Sequence, residues 1–183
     1  MTKPALTPDR TDDWPAIDGA RPNAIVLETF AELGELKLAL RAVKSVSRLP
    51  VIACMTFSAG EDGTTTIMGN TPKELAAAAE EYGAAGVGAN CGIGPNVCLR
   101  VAQRLGAVTT LPIWIKPNAG LPQAGANGKT MYPVGPEEFA SYVPQFIEAG
   151  VTFLGGCCGT TPAHILAMKE ALFDHTKAQE ESG

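Results

Sequence analysis

Short apolar runs and longer amphipathic stretches alternate along this chain, and that alternation leaves few folds open. The runs at residues 24–27, 51–55, 85–89, 112–115 and 151–154 are bounded by Gly, Pro or polar residues. Continuous apolar runs of this length fit strands buried in a parallel sheet. Apolar residues at helical spacing follow each one. They are Leu33, Leu36, Leu40 and Val43, then Leu75, Ala79 and Tyr82, then Val97, Val101 and Leu105. Phe139, Tyr142, Val143 and Phe146 follow the fourth run, and Ile165, Lys169 and Leu172, with Leu166 alongside, follow the fifth. These stripes read as core-facing helix surfaces. Thr71-Pro72-Lys73-Glu74 combines an N-cap, Pro at the first helical position and Glu at the third. Thr161-Pro162 repeats part of it, and Gly135-Pro136-Glu137 places acid in a first turn, where it suits the helix dipole. Gly83, Gly106 and Gly150 read as helix ends.

Five consecutive strand–helix units require a parallel sheet with right-handed crossovers. A doubly wound sheet and part of a (β/α)8 barrel both satisfy that requirement. A complete barrel takes about 250 residues, and this chain has 183, so five units do not close one.

Composition removes several classes. A net charge of −5 offers no basic stripe for nucleic acid. No apolar run reaches the roughly 20 residues of a membrane span. Residues 1–21 are polar and Pro-rich, without the apolar centre of a signal peptide, and read as a disordered tail. Residues 176–183 read as a second tail, leaving 22–175 as the folded domain. The five cysteines are odd in number and lack the spacing of a secreted disulfide scaffold. They fit a cytoplasmic protein whose thiols stay reduced and available to metal.

Three segments that follow strands concentrate unusual residues: Gly88-Ala89-Asn90-Cys91-Gly92, Pro117-Asn118-Ala119-Gly120-Leu121-Pro122 and Gly155-Gly156-Cys157-Cys158-Gly159-Thr160-Thr161-Pro162. In parallel α/β folds, ligands sit at the C-terminal ends of strands. Adjacent cysteines between glycines are open to three readings: a strained vicinal disulfide, a pair of inert buried thiols, or metal ligands. If Cys91 converges on Cys157 and Cys158, three thiolates make a zinc site with one open position. Helix N-termini just after Cys91 and Thr161 favour ionised thiols. Three thiolates leave zinc a mild Lewis acid. A fourth, exogenous thiolate held there stays electron-rich, as a sulfur nucleophile must.

These segments resemble the homocysteine S-methyltransferase family. Gly156-Cys157-Cys158-Gly159-Thr160-Thr161-Pro162 followed by His164-Ile165 is the most specific match. Asn90-Cys91, Asn118-Ala119-Gly120-Leu121-Pro122, Glu28-Thr29 and Met55-Thr56-Phe57 agree with it. The wording is most similar to the homocysteine-binding domain of cobalamin-dependent methionine synthases, over about residues 22–173. The resemblance implies an α/β fold, a partial (β/α)8 TIM barrel of about five βα units. It makes Cys91, Cys157 and Cys158 zinc ligands and Glu28 a partner of the homocysteine amino group. It makes Asn118 a candidate for the fourth zinc position through its side-chain oxygen, beside the plainer reading of a loop-shaping residue. Family members carry an N-terminal segment with the first strands and an Asp-Gly loop. The match here begins near their fourth strand, so part of the substrate pocket is expected to be missing.

The function expected on this basis is zinc-dependent S-methyl transfer to homocysteine or a similar small thiol, giving methionine. Methylcobalamin on another domain or chain, such as a corrinoid protein, would be the methyl donor. The alternative is a non-catalytic zinc-binding partial barrel completed by a second chain or by self-association, since open strand edges demand a covering. Cys54 and Cys98 read as buried small hydrophobes. His164 reads as structural, His175 as solvated, Glu61-Asp62-Gly63 as a turn, and Trp114 and Phe139 as packing residues. Gly92-Ile93-Gly94 has no lysine at phosphate-loop spacing.

Overall fold

The computed structural model describes residues 22–125 and 128–182; the tail expected over residues 1–21 lies outside them. The elements in chain order are β1 (Ile25–Phe30), α1 (Leu33–Val46), β2 (Val51–Met55), α2 (Pro72–Glu81), β3 (Gly86–Cys91), α3 (Pro95–Gly106) and β4 (Ile113–Pro117). A small hairpin, β5 (Gln123–Ala124) and β6 (Thr130–Met131), comes next, then α4 (Pro136–Ala140), α5 (Val143–Glu148), β7 (Val151–Leu154) and α6 (Pro162–Ser182). The five apolar runs are therefore the strands β1, β2, β3, β4 and β7.

Strand order decides between the two architectures. The main sheet runs β1-β2-β3-β4-β7, all pairs parallel. Each crossover steps to the next position in the same direction. Right-handed crossovers that all step one way lay every helix on the same face. A doubly wound sheet instead reverses direction at a switch point and has helices on both faces. One-sided helices over sequential parallel strands are the arrangement of a (β/α)8 barrel wall, so the fold is a partial barrel of five βα units, as expected.

Side chains alternate between the two faces of each strand, and in β4 burial alternates with them, whereas β2 is buried at every position. Val51, Ala53 and Met55, Val87 and Ala89, and Ile113 and Ile115 face the helices and join Leu36, Leu40, Leu75, Val101, Leu105 and Phe146 in one core. The alternate positions Val26, Glu28, Ile52, Cys54, Gly88, Asn90, Trp114, Lys116 and Phe153 form the inner face. Trp114 and Phe153 pack there with ring centroids 5.0 Å apart, and Phe153 remains 47% exposed. Gly88 pairs with Trp114 across β3 and β4. A Cβ on Gly88 would run into the Trp114 carbonyl, so only glycine lets these strands approach.

Local signals place the helices. Thr71 and Glu74 form the full capping box at the start of α2. Gly83 and Gly150 take positive φ of 65° and 81° and turn the chain toward the next strand. Gly106 serves differently: a Cβ there would lie 2.7 Å from the Ala149 carbonyl, so it lets α3 pack against the end of α5. The Glu61-Asp62-Gly63 turn is pinned to α3. Arg100 donates to the Asp62 carbonyl at 2.9 Å, and Arg104 donates to the Asp62 carboxylate and the Thr64 hydroxyl.

Two elements differ from the sequence expectation. The fourth helical stripe is broken into α4 and α5, because Pro144 has no N–H to continue the ladder of α4. Residues 176–182, expected as a tail, continue α6 as helix to Ser182. They contain no Gly or Pro, are rich in strong helix formers, and include a Lys177–Glu181 pair at 3.8 Å one turn apart.

Replacing Gly88 by Ala should cost about 3 kcal/mol through this overpacking. Urea unfolding followed by circular dichroism measures it, and an unchanged midpoint would show that the strands can move apart freely.

Candidate metal centre

Cys91 is the last residue of β3, and Cys157 and Cys158 lie in the turn after β7. Because β4 runs between β3 and β7, the loop leaving β4 can reach both. It joins them with five hydrogen bonds to backbone groups. The Asn118 N–H donates to the Cys91 carbonyl at 3.3 Å, and the Cys157 N–H donates to the Pro117 carbonyl at 2.8 Å. The Ala119 N–H donates to the Cys158 carbonyl at 2.9 Å. The Asn118 side chain completes the set, accepting from the Cys158 N–H at 2.9 Å and donating to the Gly92 carbonyl at 3.0 Å. The three sulfurs then converge: Sγ of Cys91 lies 2.9 Å from Cys157 and 4.0 Å from Cys158, and all lie within 4.8 Å of one another.

Asn90 ties this cluster to β1. Its side chain is buried, with Oδ1 accepting from the Thr29 N–H at 2.8 Å and Nδ2 donating to the Thr29 hydroxyl at 2.7 Å. Nδ2 also points at Sγ of Cys91 (3.5 Å) and Cys157 (4.0 Å). The Thr56 hydroxyl donates to the Asn90 carbonyl at 3.1 Å. Thr29 (φ 67°) and Cys91 (φ 59°) are the two non-glycine residues with left-handed backbone among the described residues. A β-branched residue in that region is strained, and both strained residues bond to the same amide. Sequence reading took Asn90-Cys91 only as a motif; the spacing of 61 residues to Thr29 gives no local signal.

The thiols are electrostatically unequal. Burial, then hydrogen bonding and charge repulsion from Cys157 and Cys158, push the Cys91 thiol up to about 12. Burial acts to raise Cys157 as well. Hydrogen bonds from Cys91, the Cys158 backbone and Asn90 outweigh it and hold Cys157 below the usual thiol range. Cys54 and Cys98 are buried, and desolvation raises both, Cys98 to about 12 and Cys54 further. They are the buried small hydrophobes expected.

The remaining expected residues are placed as follows. Glu28 lies on the inner face, and its carboxylate accepts from the Lys116 ammonium at 2.8 Å. Lys116 was not singled out from sequence. It sits opposite Asn90 in the β3–β4 register, and its stem lies along Gly155, where a Cβ would be 3.2 Å from its Cγ. Both polar ends of Asn118 are engaged by loop backbone, which is its loop-shaping role. One lone pair of its oxygen stays unused in these bonds. His164 is buried, accepting at Nδ1 from Thr161 and facing the Val134 carbonyl through Nε2 at 3.0 Å. That engages both ring nitrogens, in keeping with a structural role.

The donor set suits a soft ion. Three sulfurs and no carboxylate favour zinc over magnesium or calcium. Sulfurs bonded to one zinc at about 2.3 Å in tetrahedral geometry lie roughly 3.8 Å apart, within the spread observed.

The homocysteine S-methyltransferase family model matches residues 11–172. Methionine synthase of Mycobacterium tuberculosis is 37% identical over 162 residues, covering 85% of this chain and 13% of that protein. Selenocysteine Se-methyltransferase of Brassica oleracea is 32% identical over 154 residues, covering 82% of this chain and 41% of that protein. Among solved structures, the homocysteine methyltransferase MmuM of Escherichia coli in its apo form superposes with a TM-score of 0.67 at 25% identity. That match covers 85% of this chain and 52% of MmuM. Its metallated form gives 0.65 at 25% identity, covering 85% and 47%. The chain thus spans about half or less of each of these relatives.

Asn90→Ala should cost about 2–3 kcal/mol, from an orphaned Thr29 N–H and two strained residues left unsupported. In the metal-free wild type, iodoacetamide should alkylate Cys157 at lower pH than Cys91, since the thiolate is the nucleophile. Cys54 and Cys98 should stay unmodified until the chain unfolds. Peptide mapping by mass spectrometry reads the order, and Cys91 reacting first would contradict the assigned asymmetry.

Proposed function

Because the chain belongs to the homocysteine S-methyltransferase family, we propose that it is the zinc-binding, thiol-activating part of a methyltransferase that converts homocysteine to methionine. The convergence of Cys91, Cys157 and Cys158 at the strand ends carries this reading. In it, the three cysteines hold Zn²⁺ and leave one position for the substrate sulfur. When bound, the ion supplies the charge that takes the proton from an incoming thiol and keeps its sulfur nucleophilic.

The chain's own residues set the geometry. Asn90 donates toward two sulfurs, and the β4 loop fixes the Cys157-Cys158 turn. Glu28, on the same inner face, takes the substrate ammonium, with Lys116 holding its carboxylate in place. Asn118, whose side-chain oxygen accepts from the Cys158 N–H, would be the residue able to lend the ion a weak neutral donor where substrate is absent. Methylcobalamin carried by another domain or chain is the donor in this reading. The similarity to methionine synthase, of which the matched region is 13%, supports a module acting with a partner. Among the described residues no helix is long and apolar enough to cross a membrane, and thiol ligands suit a reducing, cytoplasmic setting.

A second reading rests on the inner face. Trp114 and the half-exposed Phe153 lie on the side of the sheet opposite the helices, and parallel sheets are normally covered on both faces. A zinc-binding partial barrel that completes its fold with a second chain or a second copy fits that observation.

Purified protein should contain about one zinc per chain, and Cys157→Ser should reduce it to about a tenth or less. Homocysteine should be methylated by methylcobalamin only in the zinc-loaded wild type. Zinc-free wild type would remove the first reading. Light scattering tests the second: a cooperative monomer that gains no activity from candidate partner chains would count against it.

A further inference from the structure

The five strands of the main sheet carry two charged residues, Glu28 in β1 and Lys116 in β4. These two pair with each other, the Lys116 ammonium donating to Glu28 Oε1 at 2.8 Å. Three strand spacings of about 4.8 Å separate β1 from β4, so the side chains meet across β2 and β3 on the inner face. Both stay partly open, with 27% of the Lys116 side chain and 29% of the Glu28 side chain exposed. Among the described residues, Glu28 Oε2 and the other Lys116 N–H groups keep their hydrogen-bonding capacity.

The anchors of this pair are also those of the sulfur cluster. Thr29, next to Glu28, is bonded to Asn90 through its N–H and its hydroxyl. Asn90 sits opposite Lys116 in the β3–β4 register and points Nδ2 at the sulfurs of Cys91 and Cys157. Gly155, two residues before Cys157, makes room for the Lys116 stem, since a Cβ there would lie 3.2 Å from Cγ. An ion pair that only tied β1 to β4 would gain little over an apolar contact, because taking both charges out of water offsets most of their attraction. A half-open pair beside a metal-donor cluster does something an apolar contact does not. It presents an acceptor for a cation and a donor for an anion side by side.

We propose that Glu28 and Lys116 together form a clamp for an amino-acid zwitterion, with Glu28 Oε2 accepting from the α-ammonium and Lys116 donating to the α-carboxylate of the thiol. The inference rests on the reading proposed above, in which Glu28 takes the ammonium, and adds the residue that recognises the carboxylate. The charges match: the pair is neutral as a whole, and so is the headgroup it receives. A thiol without a carboxylate leaves the Lys116 donors unmet, and one without an ammonium brings a second anion against Glu28. The ligand class is therefore a short thiol bearing both α-charges.

The test uses the Co²⁺-loaded chain and reads thiol binding from the sulfur-to-cobalt charge-transfer absorption. Three probes are titrated: L-homocysteine, 4-mercaptobutanoate, which lacks the amine, and 3-aminopropanethiol, which lacks the carboxylate. Lys116→Met should weaken homocysteine and 4-mercaptobutanoate about tenfold or more. Lys116→Arg, which keeps the charge, should recover most of that loss. Binding of 3-aminopropanethiol to Lys116→Met should be as tight as to wild type or tighter, since no ammonium then competes for Glu28. Lys116→Gln serves as the neutral variant if the Met side chain disturbs the sheet. A residue that only holds Glu28 in place predicts the opposite pattern, with loss on the amine-bearing probes and none on 4-mercaptobutanoate, and that result would overturn the inference. Equal affinity of wild type for homocysteine and 3-aminopropanethiol would overturn it as well, leaving the zinc reading intact. A wild type that takes up no cobalt, or takes it up and binds no thiol, would remove both.

Discussion

One buried amide sets the conditions for everything at the strand ends. Asn90 must satisfy a donor and an acceptor on Thr29 at once, and it still turns its remaining hydrogen-bonding capacity toward two sulfurs. That works only if the end of β1 and the end of β3 keep fixed positions, although β2 lies between them. The left-handed backbone at Thr29 and Cys91 is the visible cost of that fit. Strain of this kind persists where surrounding contacts over-determine it. Here those contacts are the sheet pairings on either side and the core beneath them.

The sheet supplies that rigidity through small residues in specific places. Gly88 brings β3 and β4 together, Gly106 seats α3 against the end of α5, and Gly155 leaves room for the Lys116 stem. These contacts are backbone-close, so side chains projecting from neighbouring strands emerge at fixed spacing. The result is a face on which Glu28, Asn90 and Lys116 are neighbours although they are far apart in sequence.

The sequence revealed the elements that depend on local pattern. The five apolar runs, the Thr71 capping box and the cysteine-bearing turns all rest on residues adjacent in the chain, and each is where it was expected. What stayed hidden depends on pairing across the fold. The Asn90–Thr29 and Lys116–Glu28 bonds span 61 and 88 residues, and no periodicity encodes them. Direction of winding was equally hidden, because strand–helix alternation is the same in a sandwich and a barrel until strand order is known. The break between α4 and α5 was legible in Pro144 and was masked by the apolar stripe running through it. Residues 176–182 are polar, yet their helix propensity decides their conformation and continues α6 to Ser182.

Cys91 and Cys157 are separated by 66 residues, and among the described residues β7 joins the sheet through its pairing with β4. The sulfur cluster therefore exists only when this last unit has docked. An ion that binds all three sulfurs draws its binding free energy from the docked arrangement, which makes ion occupancy and closure of the C-terminal unit two readings of one equilibrium. The metal-donor cluster acts in this sense as a clasp between the early and late parts of the chain, and fraying at the β7 edge would be felt first as a weaker hold on the ion.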